Sequence, residues 1–168
     1  DSETLIHGYE EWGESLVERL RGMYAFAIWD TRKKKLFVAR DIFGIKPLYY
    51  AQMNGTLMFA SEIKAFMEHP KFDKVFNEDA LGNYLSFQFV PTNETFFKGV
   101  FCLQPGHYFT YENGELNITR YFEPNFTGKY EKTFDEAAAE VEKVMKESVE
   151  KHKISDVEVA SYLSSGVD

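Results

Sequence analysis

Cysteine is nearly absent from this sequence of 168 residues, in which Cys102 is the single example. One thiol excludes an internal disulfide and any zinc site built on several cysteines. Because its neighbours Phe101 and Leu103 are apolar, we predict that Cys102 is a buried structural thiol. We predict no zinc site from the histidines either, because their spacing does not match that of metal ligands. They are His7, His69, His107 and His152.

Positive charge and long apolar runs are also scarce. Lys and Arg total 19 against 27 Asp and Glu, which leaves a net charge of −8. Proteins that bind nucleic acid or anionic membranes have a basic surface, so we predict neither partner. No apolar run approaches the roughly 20 residues of a membrane-spanning helix, and the chain does not open with a charged and then apolar leader. We therefore expect a cytoplasmic protein.

The composition that is present is that of a folded domain, with 44% hydrophobic and 17% aromatic residues. Aromatic rings bury large areas in sheet-rich cores, so we expect a structured chain containing β-sheet. The sequence begins at Asp1 rather than at Met and stops at Asp168 inside a loop-like motif. We therefore expect a fragment of a longer protein.

The apolar pattern of the first 60 residues predicts a helix and then a sheet. Apolar residues recur at three- and four-residue steps over 5–20, which places them on one helical face. Four short strand-like runs follow, and the first of them is apolar throughout, as expected of a strand covered on both faces. An Asn54-Gly55 pair between the last two predicts a hairpin. We predict one antiparallel sheet from the four runs, at 23–29, 36–39, 47–52 and 56–60.

The rest of the chain predicts a small β-unit and then a second domain. Ser61-Glu62 opens a short helix to 67, and Asn77 caps another to 87. Three strands are expected after Pro91, at 95–100, 107–111 and 116–122. Turn-forming residues then precede an amphipathic helix from Thr133 and a strand at 157–163. We predict an α+β fold with domains at 1–124 and 125–168.

The C-terminal segment VEVASYLSSGVD has the layout of a strand that ends in a loop of small residues. Ser and Gly let backbone amides approach an anion closely, although such loops are common and the Lys of a P-loop is missing. The loop resembles the pyrophosphate loop of the ATP-pyrophosphatase superfamily, usually written SGG[LV]DS. Here Ser165 stands where that pattern has its first Gly.

A longer resemblance runs through the chain in order. The segments GMYAFAIWD, LFVARDIFGIKPLYY and FASEIKAF resemble the class II glutamine amidotransferase domain as it occurs in asparagine synthetases. LQPGHY followed by RYF resembles the end of that domain, and SDVEVASYLSSGVD resembles the entry to the synthetase domain. Because the segments are colinear over essentially the whole chain, we expect an internal fragment of that family.

The resemblance implies a two-domain enzyme. An N-terminal cysteine releases ammonia from glutamine, and a second domain uses ATP and Mg²⁺ to adenylate the aspartate side chain, giving asparagine, AMP and pyrophosphate. The implied fold is part of an αββα Ntn-hydrolase sandwich, followed by the beginning of a doubly wound α/β ATP-pyrophosphatase domain. Glutamine, aspartate and ATP are the implied small-molecule partners, and a homodimer is common in the family.

The resemblance also implies roles for particular residues. Asp1 matches the family aspartate that holds the α-amino group of glutamine, and it also suits a helix N-cap. Cys102 is not the nucleophile, because the family uses a cysteine whose own α-amine acts as the base. We therefore expect no catalytic residue and no glutaminase activity in these 168 residues alone. The implied ATP site comprises Leu163, Ser164, Ser165, Gly166, Val167 and Asp168.

Two charged positions invite other interpretations. The adjacent Arg40 and Asp41 suggest catalysis, but an ion pair or a set of hydrogen bonds that fixes a loop is the simpler prediction. Lys46, which precedes Pro47, is a cation in a tight turn, and we assign it no role.

Alternative functions remain open at this point. A relative of the same architecture could act on another carboxylate, as β-lactam synthetases do, because the acceptor site lies downstream of this sequence. A phosphoribosyl amidotransferase shares similar segments, but the SSGVD loop after a strand argues against it. As isolated, the chain could also be a non-catalytic binding or structural module.

Overall fold

Two units make up the chain in the computed structural model, which describes residues 2–128, 131–162 and 166. The first unit is Asp1–Pro124 and the second is Asn125–Asp168. The first unit contains two helices and two antiparallel sheets, and the second contains one long helix. The α+β prediction therefore holds at the level of mixed helices and antiparallel sheets.

The first helix, α1, is shorter than its apolar pattern predicted. It covers Ser2–Trp12 and continues as a 3₁₀ segment at Gly13–Glu18. The change occurs at Gly13, whose φ of 59° lies in the left-handed region that glycine tolerates best. Leu16 and Val17 follow in the 3₁₀ segment and are buried. A continuous helix over 5–20 was therefore wrong.

The strands divide between two sheets instead of forming one. The first sheet has the order β1-β2-β6-β7, with bounds Ala25–Asp30, Lys35–Arg40, His107–Glu112 and Glu115–Arg120. The second has the order β4-β3-β5, with bounds Thr56–Ala60, Tyr49–Met53 and Val100–Cys102. Strands β1 and β2 pair with each other in the first sheet, whereas β3 and β4 pair in the second. The predicted single sheet is wrong because β2 also pairs with β6, and β3 with β5, from much later in the chain.

One hairpin turn follows the sequence prediction. Asn54 and Gly55 both have positive φ, as a tight two-residue turn requires, and Met53 pairs with Thr56 across it.

The β1 strand differs from expectation, because it lies at an edge of its sheet and Trp29 is 53% exposed. It is therefore not covered on both faces.

Three apolar clusters give the first unit its layers. One lies between α1 and the first sheet and includes Tyr9, Leu16 and Phe37. The next joins the facing sides of the two sheets, where the Tyr50 and Phe109 rings lie 5.6 Å apart. The third lies on the other side of the second sheet and comprises Ala51, Met58, Phe66, Phe72 and Val100. The order is thus helix, sheet, sheet and an outer layer of short segments.

That outer layer only partly matches the predicted elements. The helix expected at 61–67 is a single 3₁₀ turn, Ile63–Ala65, and the predicted strand at 95–100 is displaced to β5. Helix α2 covers Glu78–Phe87, as predicted. Asn77 precedes it, but its side-chain amide donates to the Thr95 carbonyl oxygen at 3.0 Å. Asn77 therefore ties the helix start to a neighbouring segment and makes no side-chain cap.

The second unit consists mainly of helix α3, Phe134–His152. The sequence predicted a helix from Thr133, and the structure confirms its start, where Thr133 and Glu136 form a reciprocal capping box. The strand expected at 157–163 is wrong over its described part, since residues 157–162 are irregular and exposed. A strand needs a hydrogen-bonded neighbour, and the described part of this unit offers none. Among the described helices, none is both long enough and apolar enough to cross a membrane.

We predict that Phe37→Ala destabilises the first unit by about 3–5 kcal/mol, because the Phe37 ring is fully buried and its removal leaves a cavity. Phe43→Ala is the matched control, since Phe43 is 72% exposed and its loss should change stability by less than about 0.5 kcal/mol. Denaturant unfolding of the 168-residue chain, followed by the fluorescence of Trp12 and Trp29, measures both. Equal effects of the two substitutions would contradict the layer assignment.

Candidate functional site

A cavity of about 590 Å³ lies beside the N-terminal ends of α1 and β1 in the first unit. Three parts of the chain form most of its lining: the first turn of α1, the segment 20–26 and the turn that ends at Pro47. Its polar lining residues include Ser2, Arg21, Tyr24 and Lys46, alongside apolar residues such as Leu5. The volume and the mixture of apolar and polar groups are typical of a site for a small molecule.

Tyr24 is fixed in this lining from two sides. Its backbone N–H donates to Asp41 Oδ2 at 3.3 Å, and its carbonyl accepts from the Asp41 N–H at 2.9 Å. Its hydroxyl lies 2.8 Å from the Tyr121 hydroxyl, which in turn donates to the Arg40 carbonyl oxygen at 2.6 Å. Burial is the main cause that raises the pKa of both phenols. Both phenols therefore remain protonated and act as hydrogen-bonding groups at neutral pH.

Asp41 is a fully buried carboxylate that accepts four backbone N–H groups. Oδ1 accepts from Phe43 at 3.1 Å and Ile45 at 3.0 Å, and Oδ2 accepts from Lys46 at 3.1 Å as well as from Tyr24. Burial by itself raises the pKa of Asp41, but the four N–H donors outweigh burial and lower it below its usual value. Asp41 is therefore ionised at neutral pH.

The neighbouring Arg40 binds carbonyl oxygens of the turn at 43–47, whose N–H groups Asp41 binds. Its guanidinium donates to the carbonyl oxygens of Lys46 at 2.7 Å, Gly44 at 2.6 Å and Leu103 at 2.5 Å. In the described part of the chain, Arg40 and Asp41 bind backbone groups and do not pair with each other. Of the two predicted alternatives, an ion pair or a set of hydrogen bonds that fixes a loop, the structure shows the second.

Glycine is required at position 44 of this turn. Gly44 has a φ of 65°, and a Cβ atom there would lie 2.8 Å from Pro105 and 3.0 Å from the Arg40 guanidinium carbon. Any side chain would therefore displace the buried cation from its carbonyl partners.

The residues predicted from the resemblance are mostly outside the described part of the chain. Asp1 is one of these, although its neighbour Ser2 lines the cavity. Gly166 is described and exposed. Of the predicted ATP site, Leu163, Ser164, Ser165, Val167 and Asp168 lie outside the described residues. No described group of three or more His, Cys, Asp or Glu residues could hold a metal ion.

Cys102 is half-buried, so the prediction of a buried thiol was too strong. It lies in β5, a three-residue strand at the edge of the second sheet, and its backbone N–H donates to the Asn93 carbonyl oxygen at 2.7 Å. Arg40 Nη1 donates to its sulfur at 3.1 Å. Cys102 is not among the described residues that line the cavity.

A family profile described as a glutamine amidotransferase domain matches residues 1–122. The chain belongs to this glutamine amidotransferase family. The resemblance noted in the sequence is confirmed, since the profile covers most of the chain and the whole first unit apart from its last two residues. The cavity and the 43–47 turn both lie within the amidotransferase domain.

Named relatives align along the entire chain. It is 36% identical to asparagine synthetase [glutamine-hydrolyzing] 3 of Bacillus subtilis and 40% identical to a putative asparagine synthetase [glutamine-hydrolyzing] of Mycobacterium tuberculosis. Both alignments cover 100% of this chain and 27% of the relative. The amidase chry2 of Gibberella zeae is 33% identical, with 25% of that protein covered. The chain thus spans about a quarter of the length of these relatives.

Sequence reasoning missed the contact between Tyr24, which lines the cavity, and Tyr121, which is not among the described lining residues. Tyr24 lies in the GMYAFAIWD segment and Tyr121 in RYF, so both segments carried the resemblance. Their hydroxyls meet across 97 positions of sequence, and no local pattern indicates such a contact. Arg21 and Lys46 also line the same cavity, and only the fold brings these two residues together there.

We predict that Asp41→Asn destabilises the chain by about 2–4 kcal/mol at pH 7, because one of the two acceptor oxygens becomes a donor that faces N–H groups. The lowered pKa of Asp41 stabilises the folded chain at pH values above the unfolded pKa of about 3.9, and this stabilisation is lost as pH falls through the folded value. The difference between the two proteins should therefore shrink between pH 5 and pH 3.

Denaturant unfolding at several pH values measures that difference. Asp156→Asn provides the control, since Asp156 is exposed and its loss should change stability little. A difference that stays constant down to pH 3 would contradict the role given to the ionised Asp41.

Proposed function

We propose that this chain is the glutamine amidotransferase portion of a glutamine-hydrolysing asparagine synthetase. Ammonia released from glutamine converts the side-chain carboxylate of aspartate to an amide, while ATP gives AMP and pyrophosphate. The observation that carries the proposal is the alignment of the whole chain, at 36–40% identity, with relatives that bear that name. Cytoplasmic localisation, which is expected from the lack of a long apolar run, and a homodimer, which is common in the family, are further parts of the proposal.

We assign glutamine to the cavity at the start of α1. Asp1 matches the family residue that holds the α-amino group, and the next residue, Ser2, lines the cavity. A carboxylate near a helix N-terminus suits an ammonium partner and also gains from the helix dipole. The cationic side chains of Arg21 and Lys46 on the same lining suit the carboxylate end of an amino acid.

Amide hydrolysis in this family requires a thiol nucleophile, which attacks the amide carbon and expels ammonia. Water then releases glutamate from the thioester. Cys102 is a poor candidate, because it is not among the described residues that line the cavity and its sulfur accepts a hydrogen bond from Arg40. The proposal therefore places the nucleophile outside these 168 residues, and within them Asp1 binds and orients the substrate.

At the other end of the chain, residues 163–168 are proposed to surround the phosphates of ATP. Their hydroxyl and glycine-rich composition suits close contact between backbone amides and phosphate oxygens. Asp168 is the carboxylate in this set, and carboxylate oxygens are preferred ligands of Mg²⁺. When bound, Mg²⁺ would neutralise phosphate charge during adenylation.

The fold assignment belongs to the same proposal. The order of helix, sheet and sheet in the first unit supports part of an αββα Ntn-hydrolase sandwich. The motif at 163–168 supports the beginning of a doubly wound ATP-pyrophosphatase domain. A different carboxylate acceptor is the alternative, and the asparagine synthetase names of the relatives at 36–40% identity argue against it.

The glutamine half of the proposal is tested with Asp1→Asn in the complete polypeptide that carries this sequence. Loss of the charged partner should raise the KM for glutamine about tenfold or more. Ammonia-dependent asparagine synthesis should stay within twofold, because free ammonia bypasses the glutamine site. Asp79→Asn is the control for a carboxylate near another helix N-terminus and should alter neither activity. An unchanged KM for glutamine would contradict the assignment of Asp1.

The ATP half is tested with Asp168→Asn in the same polypeptide. Aspartate-dependent release of pyrophosphate should fall at least tenfold, because a ligand for Mg²⁺ is weakened, whereas glutaminase activity should persist. Pyrophosphate release that does not respond to aspartate in the unmodified protein would favour another carboxylate acceptor. Simultaneous loss of both activities would point to a folding defect, which circular dichroism of the variant would reveal.

A further inference from the structure

Buried charged side chains bind both the N–H groups and the carbonyl oxygens of the turn at 43–47. Asp41 accepts the N–H groups of Phe43, Ile45 and Lys46, whereas Arg40 donates to the carbonyl oxygens of Gly44 and Lys46. Asp41 is 0% exposed and Arg40 is 9% exposed. Hydrogen bonds to charged groups are stronger than those between neutral groups. These contacts therefore fix the conformation of the turn more firmly than neutral hydrogen bonds would.

The two oxygens of Asp41 have different partners. Oδ1 binds the N–H groups of Phe43 and Ile45, both within the turn. Oδ2 binds Lys46 at 3.1 Å and Tyr24 at 3.3 Å, which belong to separate segments of the chain. Both Lys46 and Tyr24 line the cavity. One buried oxygen therefore joins two walls of the cavity through their backbones.

We infer that Asp41 is a positioning residue that sets the distance between the Tyr24 and Lys46 walls of the cavity, and thereby the binding of glutamine there. It does not line the cavity and acts through the two backbones. This inference rests on the proposed function, because it takes glutamine as the occupant of the cavity. An asparagine at 41 would turn one acceptor oxygen into a donor and would release one pair of N–H groups.

A purely structural role would give a different pattern, and Tyr121 provides the comparison. Tyr121→Phe removes the hydrogen bonds to the Arg40 carbonyl and to the Tyr24 hydroxyl, so it perturbs the same neighbourhood. It leaves all four N–H contacts of the Asp41 carboxylate in place. If general loss of stability weakened glutamine binding, both variants would weaken it in proportion to their loss of thermal stability.

The experiment compares Asp41→Asn with Tyr121→Phe in the complete polypeptide. We expect Asp41→Asn to raise the KM for glutamine about tenfold, with ammonia-dependent synthesis within twofold and kcat for glutamine hydrolysis changed less than KM. Tyr121→Phe should change the KM by less than threefold. An unchanged KM in folded Asp41→Asn, or equal KM changes in the two variants at equal thermal stability, would overturn the inference.

Two further measurements keep the inference testable. If Asp41→Asn does not fold, Asp41→Glu is the substitute, because it keeps the charge but moves the oxygens. The same rise in the KM for glutamine is expected, and a normal KM would overturn the inference.

If the unmodified protein hydrolyses no glutamine, the proposed function fails by itself. Hydrogen exchange then decides: Asp41→Asn should speed exchange of the Tyr24 and Lys46 amides relative to Tyr121→Phe, and unaltered exchange would overturn the inference.

Discussion

The buried charge of Asp41 is the constraint on which the surrounding structure depends. A carboxylate that is removed from water must find compensating partners, or it becomes protonated. Here four backbone N–H groups from two segments provide that compensation, and they do so only if the 43–47 turn keeps its shape. Arg40 meets the same requirement with carbonyl oxygens, so the backbone of one short turn provides partners for two costly buried charges.

This turn also marks the place where the chain leaves one sheet and enters the other. It connects β2 of the first sheet to β3 of the second, and its contacts extend to the segment after β5. Arg40 donates to the Leu103 carbonyl, the Leu103 N–H donates to the Leu48 carbonyl, and the Gly106 N–H donates to the Asp41 carbonyl. The charges that fix the 43–47 turn therefore also fix where three parts of the amidotransferase domain meet. The shape of the cavity lining and the stability of the fold depend on these same contacts.

Much of the local structure was predictable because its causes are local. Asn54-Gly55 forms a hairpin because both residues tolerate positive φ, and Thr133 with Glu136 caps α3 through contacts three residues apart. The partition into two sheets was not predictable from the strands themselves. It depends on the pairing of β2 with β6 and of β3 with β5, and these partners come from much later in the chain. The strand expected at 157–163 illustrates the same limit, since a strand depends on a neighbour that the described part of the second unit does not provide.

The sequence by itself determined the family, through colinear segments, and the Asn54-Gly55 turn and the start of α3, through contacts between residues a few positions apart. For Arg40 and Asp41 it left two alternatives, an ion pair or a set of hydrogen bonds that fixes a loop. Only the tertiary structure decided which backbone groups those charges bind, that Tyr24 and Tyr121 meet, and that Tyr24 and Lys46 face one cavity. The reason is that these contacts join residues up to 97 positions apart, and long-range packing, not local preference, brings such residues together.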